Sequence, residues 1–368
     1  MTVRIPLTAD QGTPYEVVVG CGVWSRLPRL LAERCPAHLY AVVTDSRVDT
    51  LYGKRIADLL AAAGLTARAF VFPAGEWNKV RETWADLCDR MVAAGVGRDA
   101  AVVALGGGVV GDLAGFVAAT LHRGIPWVQV PTTVLAMIDA SIGGKTGVDL
   151  PAGKNLVGAF HQPRLVLADV ESLATLPRNQ VAAGCAEAVK HGVVADAAYA
   201  DDLGRAAAAC LSRTLDTLQA VIERSIRIKG EIVAADASER GRRQVLNFGH
   251  TVGHAVEATS GYALLHGEAV AIGMAVEAAL AEAAGIASPG TRARVLELLG
   301  HFDLPTTVPE TVACDDLLEA MRADKKVRAG ALRFALPAAI GRMAHGADGA
   351  WTVEMSPAQV RGALEACR

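Results

Sequence analysis

The hydrophobic pattern of the chain changes character near its middle. In the first half, short apolar runs alternate with amphipathic stretches of helical period. Residues 3–7 and 15–19 read as paired strands. Residues 39–44 (LYAVVT) form a continuous apolar run ending in Asp45, the pattern of a strand buried in a parallel sheet. Further strands are expected at 67–72, 100–105 and 127–130. Helices are expected at 51–63, closed by Gly64, at 80–94, stopped by Gly95, and at 113–121. Alternation of this kind implies a mostly parallel sheet covered on both faces. After about residue 175 the pattern is helical, at 180–194, 203–208, 215–235, 249–259, 268–284, 291–299 and 315–322, with one strand signal at 332–336. The fold class expected is therefore α/β: an N-terminal, mostly parallel-sheet domain over residues 1–175 and a C-terminal, mainly α-helical domain over residues 176–368.

Composition narrows the partners. The chain carries 36 Lys and Arg against 39 Asp and Glu, a net charge of −3. That balance argues against a general nucleic-acid or anionic-membrane binder, which carries an excess of cations. It leaves room for a small concentrated patch of one sign. Aromatic residues are only 5%, so the core is built from Ala, Val, Leu and Ile. Apolar runs are broken by charge too soon for a membrane span, and the first residues lack the apolar core of a signal peptide. The 7 cysteines form no CxxC pair. A reduced, cytoplasmic protein is expected.

Several motifs carry chemistry. Gly106-Gly107-Gly108-Val109-Val110-Gly111 follows a strand and opens a helix, where free N–H groups and the helix dipole favour a phosphate. The motif fits GxGxxG, but no acid closes a strand about 20 residues later as in the dinucleotide fingerprint. The acid at a strand end is Asp45, a candidate for ribose hydroxyls and otherwise a loop cap. His250 and His254 are spaced i, i+4 and share a helix face. His266 follows, and Glu187 with Lys190 sits on another helix. Any one such histidine is most often a satisfied core or surface residue. Glu plus two His is nevertheless a plausible Zn²⁺ set with an open position, and HxxxH lacks the embedded Glu of a metalloprotease. Asp139, Lys145, Lys154 and Asn155 mark a dense loop region whose Gly143-Gly144-Lys145-Thr146 fails the P-loop pattern, because the first Gly that the pattern requires is missing. Lys229, Arg243 and Lys326 complete a set of cations in apolar or Gly-marked segments, suited to a small polyanion.

These runs together resemble the 3-dehydroquinate synthase family, of the sugar phosphate cyclases, over nearly the whole chain. The matching segments are GGGVVGDLAGFVAAT, LHRGIPWVQVPTT, MIDASIGGKTGVDLPAGKNLVGAFHQP, AGCAEAVKHG, LNFGHTVGHAVEA, LHGEAVAIGM and ADKKV. The resemblance implies an NAD- and Zn²⁺-dependent lyase of the shikimate pathway, acting on 3-deoxy-D-arabino-heptulosonate 7-phosphate, with Co²⁺ an alternative metal. The steps implied are transient oxidation of the carbon-5 hydroxyl, elimination of phosphate, return of the hydride, ring opening and an aldol closure. By position, Glu187, His250 and His266 match the metal ligands. Lys145, Asn155, Asn247, His254 and Lys326 match residues holding the substrate, chiefly around its phosphate. Arg123 matches an arginine delivered across a homodimer interface, Lys229 and Arg243 a carboxylate-binding pair, and Lys190 and Asp139 groups around the ring hydroxyls. For NAD the matching positions are Asp45, Glu76, Lys79, Gly107, Gly108, Asp112, Thr132, Thr133, Lys154 and Thr175. Asp149 stands where many bacterial members have Asn, and the 236–243 loop departs from the usual DERExGLR. Rival readings are another sugar phosphate cyclase making an amino-dehydroquinate, 2-deoxy-scyllo-inosose or a valiolone, a metal-dependent polyol dehydrogenase of similar fold, and a non-catalytic binding protein.

Overall fold

The structure is a computed structural model that describes residues 1–7, 13–151, 153–261, 263–323 and 332–368. The chain separates into two compact units, Met1–Leu176 and Pro177–Arg368.

Among the described residues, the first unit is built on nine strands and five α-helices. The strands are β1 (Thr2–Ile5), β2 (Tyr15–Gly20), β3 (Tyr40–Asp45), β4 (Ala67–Phe72), β5 (Ala101–Gly106), β6 (Trp127–Pro131), β7 (Lys145–Leu150), β8 (Gly153–Phe160) and β9 (Leu165–Asp169). The helices are α1 (Leu27–Arg34), a short α2 (Ser46–Val48), α3 (Lys54–Ala62), α4 (Arg81–Ala93) and α5 (Gly108–Thr120). Seven strands form one sheet in the order β1-β2-β9-β6-β5-β3-β4. Only the β1–β2 pairing is antiparallel. Successive side chains of a strand point to opposite faces. Val102 and Ala104 accordingly join Leu87, Met91, Leu113 and Val117 of α4 and α5 in one core layer. Val103 and Leu105 join Leu27, Leu31, Ile56 and Leu60 of α1 and α3 in the other. Both faces of β5 are covered, and all six of its residues are buried. That is why its sequence is a continuous apolar run rather than an alternation.

Three features depart from the sequence expectation. Helix α5 begins at Gly108, not near 113, because its glycine-rich first turn hides the helical pattern. The 139–155 region is not all loop: β7 and β8 form an antiparallel hairpin with Gly147 opposite Gly158. β9 (LVLAD), an apolar run outside the expected strands, lies inside the sheet between β2 and β6.

The second unit is mainly helical: α6 (Arg178–Ala195), α7 (Ala197–Leu211), α8 (Leu215–Ala235), α9 (His250–Thr259), α10 (His266–Ala283), α11 (Thr291–Gly300), α12 (Cys314–Ala323) and α13 (Pro357–Glu365). Two small strand pairs complete it, β10 (Leu332–Phe334) with β13 (Val353–Met355) and β11 (Pro337–Ala339) with β12 (Arg342–Met343). Helix α7 is longer than the 203–208 signal, and α13 was not foreseen. Helix α10 packs against α6, α9, α11 and α13 and is buried nearly all round. Its glycines permit this. A Cβ on Gly273 would collide with the Gly249 carbonyl oxygen, and one on Gly267 with the Ala183 carbonyl oxygen. The start of α9, the start of α10 and the middle of α6 are thereby brought together. Among the described residues no helix is long and apolar enough to cross a membrane, and the seven cysteines are free thiols.

Candidate active site

In the first unit the chain runs from β4 back across β3 to β5, so the strand order reverses between β3 and β5. Ligands of open parallel sheets bind beyond the carboxyl ends of strands at such a switch point. Asp45 closes β3, and Gly107 and Gly108 follow β5. Thr132 and Thr133 follow β6, Glu76 and Lys79 follow β4, and Thr175 lies in the turn after β9. These candidate nucleotide residues thus gather at the carboxyl ends of the parallel strands. The Asp45 carboxylate accepts the amides of Arg47 and Val48, both at 2.9 Å. The Thr132 amide donates to Gly106 at 2.9 Å, and Thr133 Oγ1 accepts the Ala136 amide at 3.1 Å. Thr175 Oγ1 meets the Tyr52 hydroxyl.

Beside them lies a buried ion cluster. Lys79, only 4% exposed, reaches Glu76 at 3.0 Å, Asp112 at 3.3 Å and Asp149 at 3.6 Å. Lys154 reaches Glu76 at 3.2 Å. Burial works against the charge of Lys79, but Asp112, Glu76 and Asp149 outweigh it and raise the pKa. Burial pushes the Asp112 carboxyl up to about 6, against the pull of Lys79. Asp149, the residue that departs from the bacterial pattern, also accepts the Asn155 amide at 2.8 Å. Asn155 has a positive φ of 53°. Asp139 is half-buried in the turn Ala136–Ala140, and Lys145 is exposed at the start of β7. Arg123 is exposed in the turn after α5, where φ is positive at His122, Arg123 and Gly124 in succession.

In the second unit three helices each supply part of a metal-type donor set. Glu187 sits mid-α6, fully buried, while His250 and His266 are the first residues of α9 and α10. Glu187 Oε1 lies 3.5 Å from His250 Nε2 and 3.5 Å from His266 Nε2. The donor atoms of the three lie within 4.8 Å of one another. His250 Nδ1 bonds the Phe248 carbonyl at 3.2 Å and His266 Nδ1 bonds Glu257 Oε2 at 3.2 Å. A carbonyl and a carboxylate accept and do not donate, so both Nδ1 atoms carry protons and Nε2 is left for a cation. Two imidazole nitrogens and a carboxylate oxygen facing one point is a donor set that suits Zn²⁺ or Co²⁺. The residues present therefore fit the group.

Lys190, also buried, pairs with Glu187 Oε2. His254 lies one turn along α9, its ring centroid 5.4 Å from that of His250 and 6.0 Å from that of His266. Burial, reinforced by Lys190, holds the His250 pKa well below its usual value. Burial also opposes charge on His266, but Glu257 and Glu187 outweigh it and raise the pKa to about 10.

The start of α9 is made by Gly249, whose φ is +79° and whose added Cβ would lie 2.5 Å from Met274 Cγ. Both oxygens of the buried Glu277 carboxylate meet this helix start, Oε2 on the Gly249 amide at 2.7 Å and Oε1 on the Val252 amide at 3.2 Å. Each histidine-bearing helix is thus fastened by a carboxylate from the other: Glu277 of α10 holds α9, and Glu257 of α9 holds His266. Neither Glu was singled out from sequence. In sequence both read as solvated charges on alanine-rich helices, which gave no signal to find them by.

Helix α8 packs against the turn Arg242–Asn247. Lys229 of that helix and Arg243 of that turn are buried cations. The 236–243 loop is organised by Asp236, whose carboxylate accepts the amides of Arg240, Gly241 and Arg243 at 3.1, 2.7 and 3.1 Å. The Ala237 carbonyl holds Arg243 Nη1 at 2.7 Å. Asn247 Nδ2 donates to Glu239 Oε1 at 2.8 Å, a carboxylate that the sequence reading passed over in this loop. Lys326 lies outside the described residues.

Residues 69–183 match the 3-dehydroquinate synthase N-terminal family and residues 184–327 the 3-dehydroquinate synthase C-terminal family. A curated 3-dehydroquinate synthase of Symbiobacterium thermophilum is 48% identical over 356 residues, 96% of this chain and 98% of its own. The chain belongs to the 3-dehydroquinate synthase family. Solved sugar phosphate cyclases share its fold. A 2-epi-5-epi-valiolone synthase from Streptomyces hygroscopicus subsp. jinggangensis, solved with NAD⁺ and Zn²⁺ bound, aligns with a TM-score of 0.88 at 32% identity, over 98% of this chain and 99% of that one. A 2-deoxy-scyllo-inosose synthase, complexed with carbaglucose-6-phosphate, NAD⁺ and Co²⁺, aligns with a TM-score of 0.89 at 26% identity over the full length of both.

Proposed function

We propose that the protein is a cytoplasmic, homodimeric 3-dehydroquinate synthase that converts 3-deoxy-D-arabino-heptulosonate 7-phosphate to 3-dehydroquinate and phosphate. The observation that carries this reading is the Glu187–His250–His266 trio, drawn together beside the Lys190 cation in a chain of this family. Glu187, His250 and His266 hold the metal; Asp45, Glu76, Lys79, Gly107, Gly108, Asp112, Thr132, Thr133, Lys154 and Thr175 hold NAD. When bound, NAD⁺ supplies a hydride acceptor that returns its hydride, and Zn²⁺ supplies Lewis acidity.

The chain's own residues bind, orient and balance charge. A phosphate monoester dianion with a carboxylate carries about three negative charges near neutral pH. Lys229 and the fork of Arg243 take the carboxylate, because an arginine held at one nitrogen presents the others in fixed geometry. Lys145, Asn155, Asn247, His254 and Lys326 take the phosphate end, with Arg123 supplied by the second subunit. Lys190 and Asp139 orient the ring hydroxyls. The leaving phosphate accepts the proton lost in the elimination, so the protein acts mainly by positioning and electrostatic stabilisation.

The test uses purified protein with Zn²⁺, NAD⁺ and the heptulosonate phosphate. Phosphate and 3-dehydroquinate should form in equal amounts, with no net NADH. Phosphate with a different carbocycle would make it another sugar phosphate cyclase, accumulating NADH a dehydrogenase, and inactivity of the metal-replete protein a binding protein. Mixing Arg123→Ala with Lys145→Ala should restore some activity, because one of the two sites in the mixed dimer keeps both residues.

A further inference from the structure

We infer that Glu257 is a positioning residue that fixes the ring of His266 and sets the strength with which this chain holds its metal. The inference rests on the metal assignment of Glu187, His250 and His266 made above. Glu257 is 1% exposed, near the end of α9. Its Oε2 meets Nδ1 of His266, the first residue of α10, at 3.2 Å. A buried carboxylate is a poor device for stability alone, since an apolar residue of similar volume generally serves as well. On a metal-binding histidine it has a specific effect: it fixes the tautomer and ring orientation and makes the far nitrogen a better donor. Here that far nitrogen, Nε2, is the atom 3.5 Å from Glu187 Oε1.

The two histidines of the set differ in this respect. His250 Nδ1 rests on the neutral Phe248 carbonyl at 3.2 Å, whereas His266 rests on a carboxylate. His266 is then the more strongly donating of the pair, and Glu257 is the group that makes it so. Because His266 opens α10, its ring has no preceding helical turn to lean on. The Glu257 contact provides the restraint instead, across from α9. Glu257 also lies within metal-set distance of His254 and His266, so a direct role as a ligand is the competing assignment.

The experiment measures Zn²⁺ affinity by competition with a chromophoric chelator, for wild type, Glu257→Gln, Glu257→Leu and Glu187→Gln. The visible absorption of the Co²⁺-substituted proteins and far-UV circular dichroism are recorded alongside. Glu257→Gln keeps an acceptor without the charge and should weaken Zn²⁺ about tenfold; Glu257→Leu removes both and should weaken it up to about 100-fold. Both should still take one metal per chain at saturation, with unchanged NAD⁺ affinity and a shifted Co²⁺ spectrum. Equal Zn²⁺ affinity in wild type and Glu257→Gln, with an unshifted spectrum, overturns the inference, whether or not the Leu variant folds. Loss of the metal in Glu257→Gln with its retention in Glu187→Gln also overturns it, because Glu257 is then itself a ligand. A wild-type protein with no Zn²⁺ site overturns the metal assignment and this inference together.

Discussion

Replacing Glu277 by Gln tests how the start of α9, which carries His250, is held. The wild-type carboxylate accepts the Gly249 amide at 2.7 Å and the Val252 amide at 3.2 Å, and it is fully buried. Glutamine keeps one accepting oxygen and turns an NH₂ toward the other amide. One charge-assisted bond is lost, worth about 1.5–3 kcal/mol, and its amide is left without that acceptor, at about 1–3 kcal/mol. The favourable interaction of the carboxylate with the helix start, up to ~2 kcal/mol, is lost as well. Part of this is offset because a buried charge no longer has to be desolvated. The net destabilisation expected is about 2–4 kcal/mol, which for a unit of this size lowers Tm by roughly 5–15 °C. Thermal unfolding followed by circular dichroism reads the first quantity. Hydrogen exchange reads the second, with faster exchange at the Gly249 and Val252 amides. A variant with Tm within 1 °C of wild type and unchanged protection at those two amides would refute the reasoning.

Three further outcomes follow from the same structure. Glu187→Gln should lose stoichiometric Zn²⁺ and all turnover while NAD⁺ binding, measured by calorimetry, stays as in wild type; retention of one Zn²⁺ per chain would remove Glu187 from the metal set. Zn²⁺ affinity should rise roughly tenfold per pH unit from pH 6 to 9, because His266, raised to about 10, carries a proton that the metal must displace; chelator competition giving a flat profile would contradict this. Asp112 has a folded-state pKa of about 6 against 3.8 for the ordinary group. A raised folded pKa contributes stability that is full below the unfolded value and is lost as pH rises through the folded one. The stability difference between wild type and Asp112→Asn in urea should therefore move in favour of Asn between pH 4 and 7, and an unchanged difference over that range would show that Asp112 is not held in this way.

How much of this was legible beforehand depended on burial pattern. β3 and β5 are buried on both faces and announce themselves as apolar runs, and α9 as an amphipathic repeat with two histidines four apart. The β7–β8 hairpin was not legible. All eight residues of β8 are exposed or half-buried, and Gly147 opposite Gly158 replaces the cross-strand side-chain pairs that would mark it. β9 (LVLAD) is a fully buried apolar run of the same length as β6, and its pattern was as legible as that of β6. The Glu187–His250–His266 trio could be named as a candidate metal set because its members fall in matched motifs, but its support could not. Glu257 and Glu277 look in sequence like solvated charges on alanine-rich helices. Only the packing of α9 against α10, with Gly249 and Gly273 at the contact, turns both carboxylates inward. The same holds for Asp236, whose three amide contacts order a loop that sequence marked only by its departure from the family pattern.

The central claim is that the chemistry is redox-neutral, with the hydride taken from the substrate returned to it. Substrate carrying deuterium at carbon 5, turned over with a large excess of enzyme-free unlabelled NAD⁺ and analysed by mass spectrometry, tests this directly. The account predicts 3-dehydroquinate that keeps the deuterium, with none found in the nicotinamide pool. Unlabelled product, or deuterium accumulating in free NADH, would contradict it.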